Sequence, residues 1–214
     1  PTHLTELVDD KICLAELLRH TAIMPPTIDV DYISEQTQDD QLYFLKHRHG
    51  AQGKSVYVHT KESLLEWKEQ CNNPRDYIIQ SEVEPKLDDK GRKISMRAHI
   101  LIYNNAQDDG FVIALHEDVV CHTHAIPYSK GVSDRAAHIS NPFSSKSNRR
   151  NRSTAPTPVL IADVALSHPA HGAFDQIKEC AAVVSQHLVR HIRASGAVFA
   201  REITCFALLG ADFL

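Results

Sequence analysis

LYFLKHRHGAQGKSVYVHT, residues 42 to 60, closes its glycine-containing turn with Gly53-Lys54-Ser55, the letters that end a P-loop. A P-loop also needs its first glycine at the position held here by Arg48, and a helix directly after the lysine to face the phosphates. Neither condition is met. Ser55 to Thr60 is rich in β-branched and aromatic residues and reads as a strand. Leu42-Tyr43-Phe44-Leu45 before the turn is strand-like too. The stretch is therefore a hairpin whose two strands meet around Gly50 and Gly53, which points away from a P-loop.

Upstream, DDKICLAELLRH at 9–20 places acidic residues before Ile12, Leu14, Ala15 and Leu18 at helical spacing, so a short amphipathic helix is expected. Met24-Pro25-Pro26 stops it, and EQTQDDQ at 35–41 reads as a polar connector. Downstream, Thr60 is an N-cap candidate for a helix over Ser63 to Cys71, which Asn72-Asn73-Pro74 ends. Tyr77 to Gln80 reads as a strand and KLDDKGRK, 86–93, as a charged turn. ISMRAHILIY, 94–103, is the longest strand candidate, expected to be buried on both faces toward its end. NNAQDDG then turns the chain back into Phe111 to Leu115, an antiparallel hairpin. SSKSNRRNRSTAPTP at 144–158 is basic, polar and poor in apolar residues, the composition of a mobile loop. Phe174, Ile177, Ala181, Val184, Leu188 and Ile192 fall on one face of a helix over Ala173 to Ser195, closed by Gly196.

The 214 residues, 43% hydrophobic and 23% charged, have the composition of one or two globular domains. A net charge of -4 favours neither nucleic acid nor an anionic membrane as partner. The five cysteines are odd in number and lack CxxC spacing, which argues against a disulfide framework and a zinc site and for a reducing compartment. No apolar run approaches the roughly 20 residues that span a bilayer, and no signal peptide opens the chain. The sequence starts at Pro1 and stops in the apolar run ITCFALLGADFL, so the reading expects further chain beyond Leu214.

QSEVEPKLDDKGRKISMRAHILIY, 80–103, resembles a segment of tubulin-tyrosine-ligase-like proteins that reads approximately Q-x-Y-I-x-x-P-L-x-x-x-G-x-K-F-D-I-R-x-x-V-L. AHISN (137–141) and CFALLGADFL (205–214) match the family's later H-L-T-N and F-x-x-x-G-x-D-F segments in the same order. With the glycine hairpin, the resemblance runs from Leu42 to Leu214. It implies the ATP-grasp fold, an α+β architecture of two lobes with antiparallel sheets and flanking helices, here without its C-terminal part. Residues 1–40 would be an N-terminal helix and connector, 41–84 the small lobe with the glycine hairpin, and 85–214 an incomplete large lobe.

The same resemblance implies a site. Lys46 would neutralise phosphates, while Gly50 and Gly53 let the hairpin close over them without Cβ clashes. Gln80, Ser81, Glu82 and Val83 would form the linker that reads adenine, chiefly through the backbone. Lys93 and Arg97 share one strand face with Ser95 and would supply the catalytic positive charge, Arg97 also meeting substrate. His138 and Asn141 would contact the nucleotide, and Ser140 and His122 the substrate. Asp212 would be one of three Mg²⁺ ligands, the others belonging to an E-x-N motif on a following strand that the sequence does not reach. Two positions depart from the family: Ser95 stands where aspartate is usual, and His122 where the tyrosine ligases carry arginine. Without the resemblance, Lys46 reads as a solvated strand-end lysine, Lys93 and Arg97 as salt-bridge partners of carboxylates, and His116 and His124 as ordinary surface or core histidines.

The implied function is an ATP- and Mg²⁺-dependent ligase that joins glutamate, tyrosine or glycine to a carboxylate of tubulin or a similar protein through an acyl phosphate. Its partners would be an acidic tubulin tail and a free amino acid, not nucleic acid or membrane. It would be cytoplasmic and associated with microtubules or cilia. The basic loop of Lys146, Arg149, Arg150 and Arg152 would attract the tail, or simply be solvated. With Asp212 as the sole metal ligand in reach, the 214 residues alone are expected to be inactive as a ligase. Two alternatives remain: a nucleotide-binding or microtubule-associating pseudoenzyme, and a ligase for a small-molecule carboxylate.

Overall fold

The computed structural model describes residues 9–50, 55–105, 110–139, 157–165, 167–194 and 206–213. Two antiparallel sheets with flanking helices make an α+β fold. The first sheet has the order β1-β4-β2-β3, from β1 (Thr27–Ile28), β2 (Tyr43–His47), β3 (Val56–His59) and β4 (Tyr77–Ser81). The quoted hairpin is β2 and β3, with Tyr43 opposite His59 and Lys46 opposite Val56. Strand alternation sends Tyr43 and Leu45 into a core with Ile28, Ile33, Leu64 and Ile79, and leaves Phe44 and Lys46 on the other face. Helix α3 (Lys61–Gln70) covers that core and begins where Thr60 Oγ1 accepts the Ser63 N–H.

Helix α1 (Lys11–Leu18) is capped by Asp10, and the short helix α4 (Arg135–His138) by Asp134. Ahead of the polar connector expected at 35–41 the chain is helical, and of the connector itself only Glu35 and Gln36 join a helix. Val30–Tyr32 forms a 3₁₀ turn and Ile33–Gln36 the short helix α2, because the apolar Val30 and Ile33 drop into the core and anchor the backbone there.

In the second sheet β5 (Ile94–Asn105) pairs with β6 (Gly110–Leu115), β7 (Val120–Thr123) and β9 (Phe206–Phe213), and β7 pairs with β8 (Val159–Leu160). Burial along β5 corrects the expectation of two covered faces. Ile94, Met96, Ala98, Ile100 and Ile102 are buried, whereas His99, Leu101 and Tyr103 are half-buried. The cause is one-sided cover: helix α5 (Ala173–Ala194) lays Ala181 and Leu188 against Ile100 and Ile102. The α5 stripe buries Ala173, Ile177, Ala181, Ser185, Leu188 and Ile192, with Phe174 and Val184 half-buried at its margin. Burying an aliphatic side chain of this size stabilises by about 1.5–3 kcal/mol.

Gly53, Ser140, Asn141, Gly196, the basic loop and the side chain of Asp212 lie outside the described residues. Cys13, Cys71, Cys121 and Cys180 are unbridged thiols. No described helix is long and apolar enough to cross a membrane.

Candidate functional site

The outer face of β2 and the start of β5 meet around Phe44. Lys46 donates from Nζ to Gln80 Oε1 at 2.8 Å, across the β2–β4 pair. That bond fixes the amide so that Gln80 Nε2, in a residue only 3% exposed, is left buried with no partner among the described residues. A buried amide donor left this way is costly unless a ligand accepts from it. The chain then leaves β4 along a pinned path. The Ser81 N–H donates to Pro26 O (2.9 Å) and the Glu82 N–H to Leu42 O (2.8 Å), while Gln41 Nε2 donates to Glu82 O (3.2 Å). Val83 makes no hydrogen bond to the described residues.

Lys93 reaches the same region from the charged turn. Gly91 supplies the left-handed conformation there (φ 70°). The Asp88 carboxylate accepts from the backbone N–H groups of Lys90 (3.0 Å) and Arg92 (2.8 Å) and pairs with the Arg92 guanidinium (2.7 Å). So braced, the turn delivers Lys93 into the interior, where its Nζ lies 2.7 Å from Glu82 Oε1 and 2.9 Å from His138 Nδ1. The side chains of Lys93 and Glu82 are 6% and 8% exposed, so this is a buried ion pair. Tyr128 lies against the ammonium with its ring centroid 4.4 Å away, and Phe44 stands 5.6 Å from Lys93 Nζ and 5.9 Å from Lys46 Nζ.

The hydrogen bonds assign the tautomer of His138. Nδ1 must accept from the ammonium, so Nε2 carries the proton and donates to Val132 O at 2.8 Å. Burial, aided by Lys93, holds its pKa below the usual histidine range, in keeping with a neutral ring. His124, 2% exposed, donates its backbone N–H to Lys93 O at 2.9 Å. Burial and the Lys93 charge push its pKa down to about 4. Desolvation also lowers the pKa of Lys93, and Glu82 opposes that shift. Two ammonium groups and the His138 imidazole thus stand around the Phe44 ring, with the Glu82 carboxylate paired to one of the ammonium groups.

Further along β5 the environment changes. Ser95 is buried opposite the half-buried His122, but Arg97 is exposed, so Lys93 and Arg97 are not the pair on one buried face that the spacing implied. Only that face of the strand opens over those four residues, since Met96, Ala98 and Ile100 on the inner face stay buried. Backbone register sets Asp212 opposite Arg97. In the hairpin, a Cβ on Gly50 would stand 2.9 Å from Ser55 Cβ and 3.2 Å from His47 O, so the close return of the chain needs glycine at that position.

The structure therefore brings together Lys46, Gln80, Glu82, Lys93 and His138, with Val83 beside them in the chain and Arg97, Ser95 and His122 further along the sheet. Sequence reasoning missed Phe44 and Tyr128 as neighbours of the ammonium groups, His124 as a neighbour of Lys93, and the Glu82 carboxylate as the counter-ion of Lys93. Alternation along β2 placed Phe44 beside Lys46 and was the available signal; nothing local marks Tyr128. A nucleotide fits this donor set, since the cluster offers an orphaned amide N–H, the main chain of Val83 and two ammonium groups beside one aromatic ring. For Mg²⁺, no group of three His, Cys, Asp or Glu among the described residues is placed to hold a metal.

Residues 15–214 match the model of the Tubulin-tyrosine ligase family. No curated protein sequence matches the chain.

Proposed function

The chain belongs to the tubulin-tyrosine ligase family, and from that premise we propose that it binds ATP at the Lys46–Gln80–Lys93 cluster and serves as the ATP-grasp domain of an amino-acid ligase. The acceptor in this reading is the carboxylate of an acidic protein tail of the tubulin type, and the donor a free amino acid. The observation that carries it is the convergence around Phe44 of Lys46, bonded to the half-satisfied Gln80 amide of the first sheet, and Lys93, which directly precedes β5 of the second. The first sheet belongs to the small lobe and the second to the large one.

Each residue has a physical task. Gln80 Nε2 and the Val83 main chain hold the base edge, and Phe44 supplies an apolar wall. Lys46 and Lys93 neutralise phosphate oxygens, and being fixed beforehand they do so without reorganising as charge shifts toward the transferred group. Neutral His138 orients Lys93 through Nδ1 without adding charge. Arg97, exposed beyond Ser95, meets the acceptor carboxylate or the transferring group. Asp212 would hold Mg²⁺ with phosphate oxygens and further ligands, and the ion when bound would screen the β- and γ-phosphates.

A second reading, a nucleotide-binding pseudoenzyme, is favoured by two observations: Lys93 already has a buried carboxylate partner, and Ser95 stands where the family usually has aspartate. Incorporation of labelled glutamate, tyrosine or glycine into tubulin, with and without ATP, separates the two. ATP-dependent labelling supports the ligase; ATP binding with no labelling supports the pseudoenzyme.

A further inference from the structure

Helix α1 begins ahead of the family-matching segment, which starts at residue 15, yet its first residues reach the glycine hairpin. Asp10 Oδ1 caps the helix, accepting from the N–H groups of Ile12 (3.0 Å) and Cys13 (3.4 Å). Its Oδ2 accepts from the Arg48 guanidinium, with Nε at 3.0 Å and Nη2 closer still. The Lys11 N–H donates to Arg48 O at 3.1 Å. The Lys11 ammonium donates to Arg48 O at 3.3 Å and also to Gly50 O. On the other side the Arg48 N–H donates to Asp76 O at 2.8 Å, and the Gly50 N–H closes a turn onto His47 O at 2.9 Å. The hairpin stem is thus gripped by side chains that lie outside its own sheet. The same helix is anchored away from the hairpin: Leu18 is buried, and Leu17 packs against the cluster of Ile100, Ile102, Ala181 and Leu188.

We propose that Asp10 and Lys11 are positioning residues for nucleotide binding: they fix the backbone of Arg48 and Gly50, and through the α1 anchor tie the hairpin stem to the second sheet. The inference rests on the nucleotide reading above. A loop held in its binding geometry forfeits less conformational freedom when the ligand arrives, so affinity gains without any direct contact.

The test compares wild type, Lys11→Met, Lys11→Arg and Asp10→Asn, the last keeping a good N-cap while removing the charge that holds Arg48. ATP affinity by calorimetry, melting midpoint, and amide hydrogen exchange at Arg48 and Gly50 are read for each. Lys11→Met and Asp10→Asn should weaken ATP binding roughly tenfold, the scale of releasing about one residue's backbone. Their melting midpoints should stay near wild type and exchange at Arg48 and Gly50 should quicken, with Lys11→Arg restoring both affinity and protection. Wild-type affinity and exchange in Lys11→Met and Asp10→Asn would overturn the proposal, as would affinity losses that only follow a fall in melting midpoint. If wild type itself fails to bind ATP, the nucleotide reading falls. Unchanged exchange at Arg48 and Gly50 in the variants would then overturn the positioning role on its own.

Discussion

Lys93 and Arg97 share a strand face by period, but one is sealed and the other open. Lys93 is buried between Glu82, His138 and the Tyr128 ring, while Arg97 stands exposed. The difference lies in what covers these two neighbouring positions at the start of β5. Before the strand, the braced Asp88–Arg92 turn and the segment after β4 fold over Lys93. By Arg97 that cover has gone. A charge that must meet the same phosphate group in every cycle gains from being fixed and dry; a charge that must receive an arriving protein tail has to remain accessible. In the proposed function the two positions answer to different ligands, and their substitutions should separate.

The largest effect should come from Lys93→Met, which leaves Glu82 buried without its counter-ion. Breaking one side of such a pair costs about 3–5 kcal/mol, so chemical denaturation should show a loss of that size together with loss of ATP binding. A variant of wild-type stability would mean that the pair is better solvated than its burial indicates.

Next in size is a pH dependence set by His124. Its folded pKa of about 4 lies below the ordinary 6.5, so on acidification the unfolded chain takes up the proton first. Its contribution is full above pH 6.5 and is lost as pH falls toward 4, roughly 3 kcal/mol across that window. Burial also lowers the pKa of His138, which adds a slope of the same sign. Denaturation midpoints measured between pH 7 and 4 should fall, and His124→Gln should flatten the fall.

Smallest in stability is Arg97→Ala, expected to stay within about 0.5 kcal/mol of wild type, as for other exposed positions. Its effect should appear in amino-acid incorporation, with ATP affinity largely kept. If Arg97→Ala destabilised as much as Lys93→Met, the contrast between the sealed and the open position would collapse.

The hairpin, the Thr60 cap, the α5 stripe and β5 were legible because each repeats a local pattern over several residues. β1, β7 and β8 were not, since strands of two to four residues carry too few alternations to register. In the site, Lys46, Gln80, Lys93 and His138 stood out through ordered motifs. The partners that set their charge state did not. Glu82 looked like ordinary linker and His124 like any histidine, because a counter-ion is defined by what the fold brings beside it. Arg48 read only as a failed P-loop glycine, and its grip on Asp10 bridges 38 positions that no local pattern connects.

The central claim, that Lys46 and its neighbours hold a nucleotide, is tested most directly by calorimetric titration of ATP into wild type and Lys46→Ala. A charge-assisted bond contributes about 1.5–3 kcal/mol, so the variant should bind roughly 10- to 100-fold more weakly while keeping the wild-type fold. Equal affinity in the two proteins, or no ATP binding by wild type, would contradict the claim.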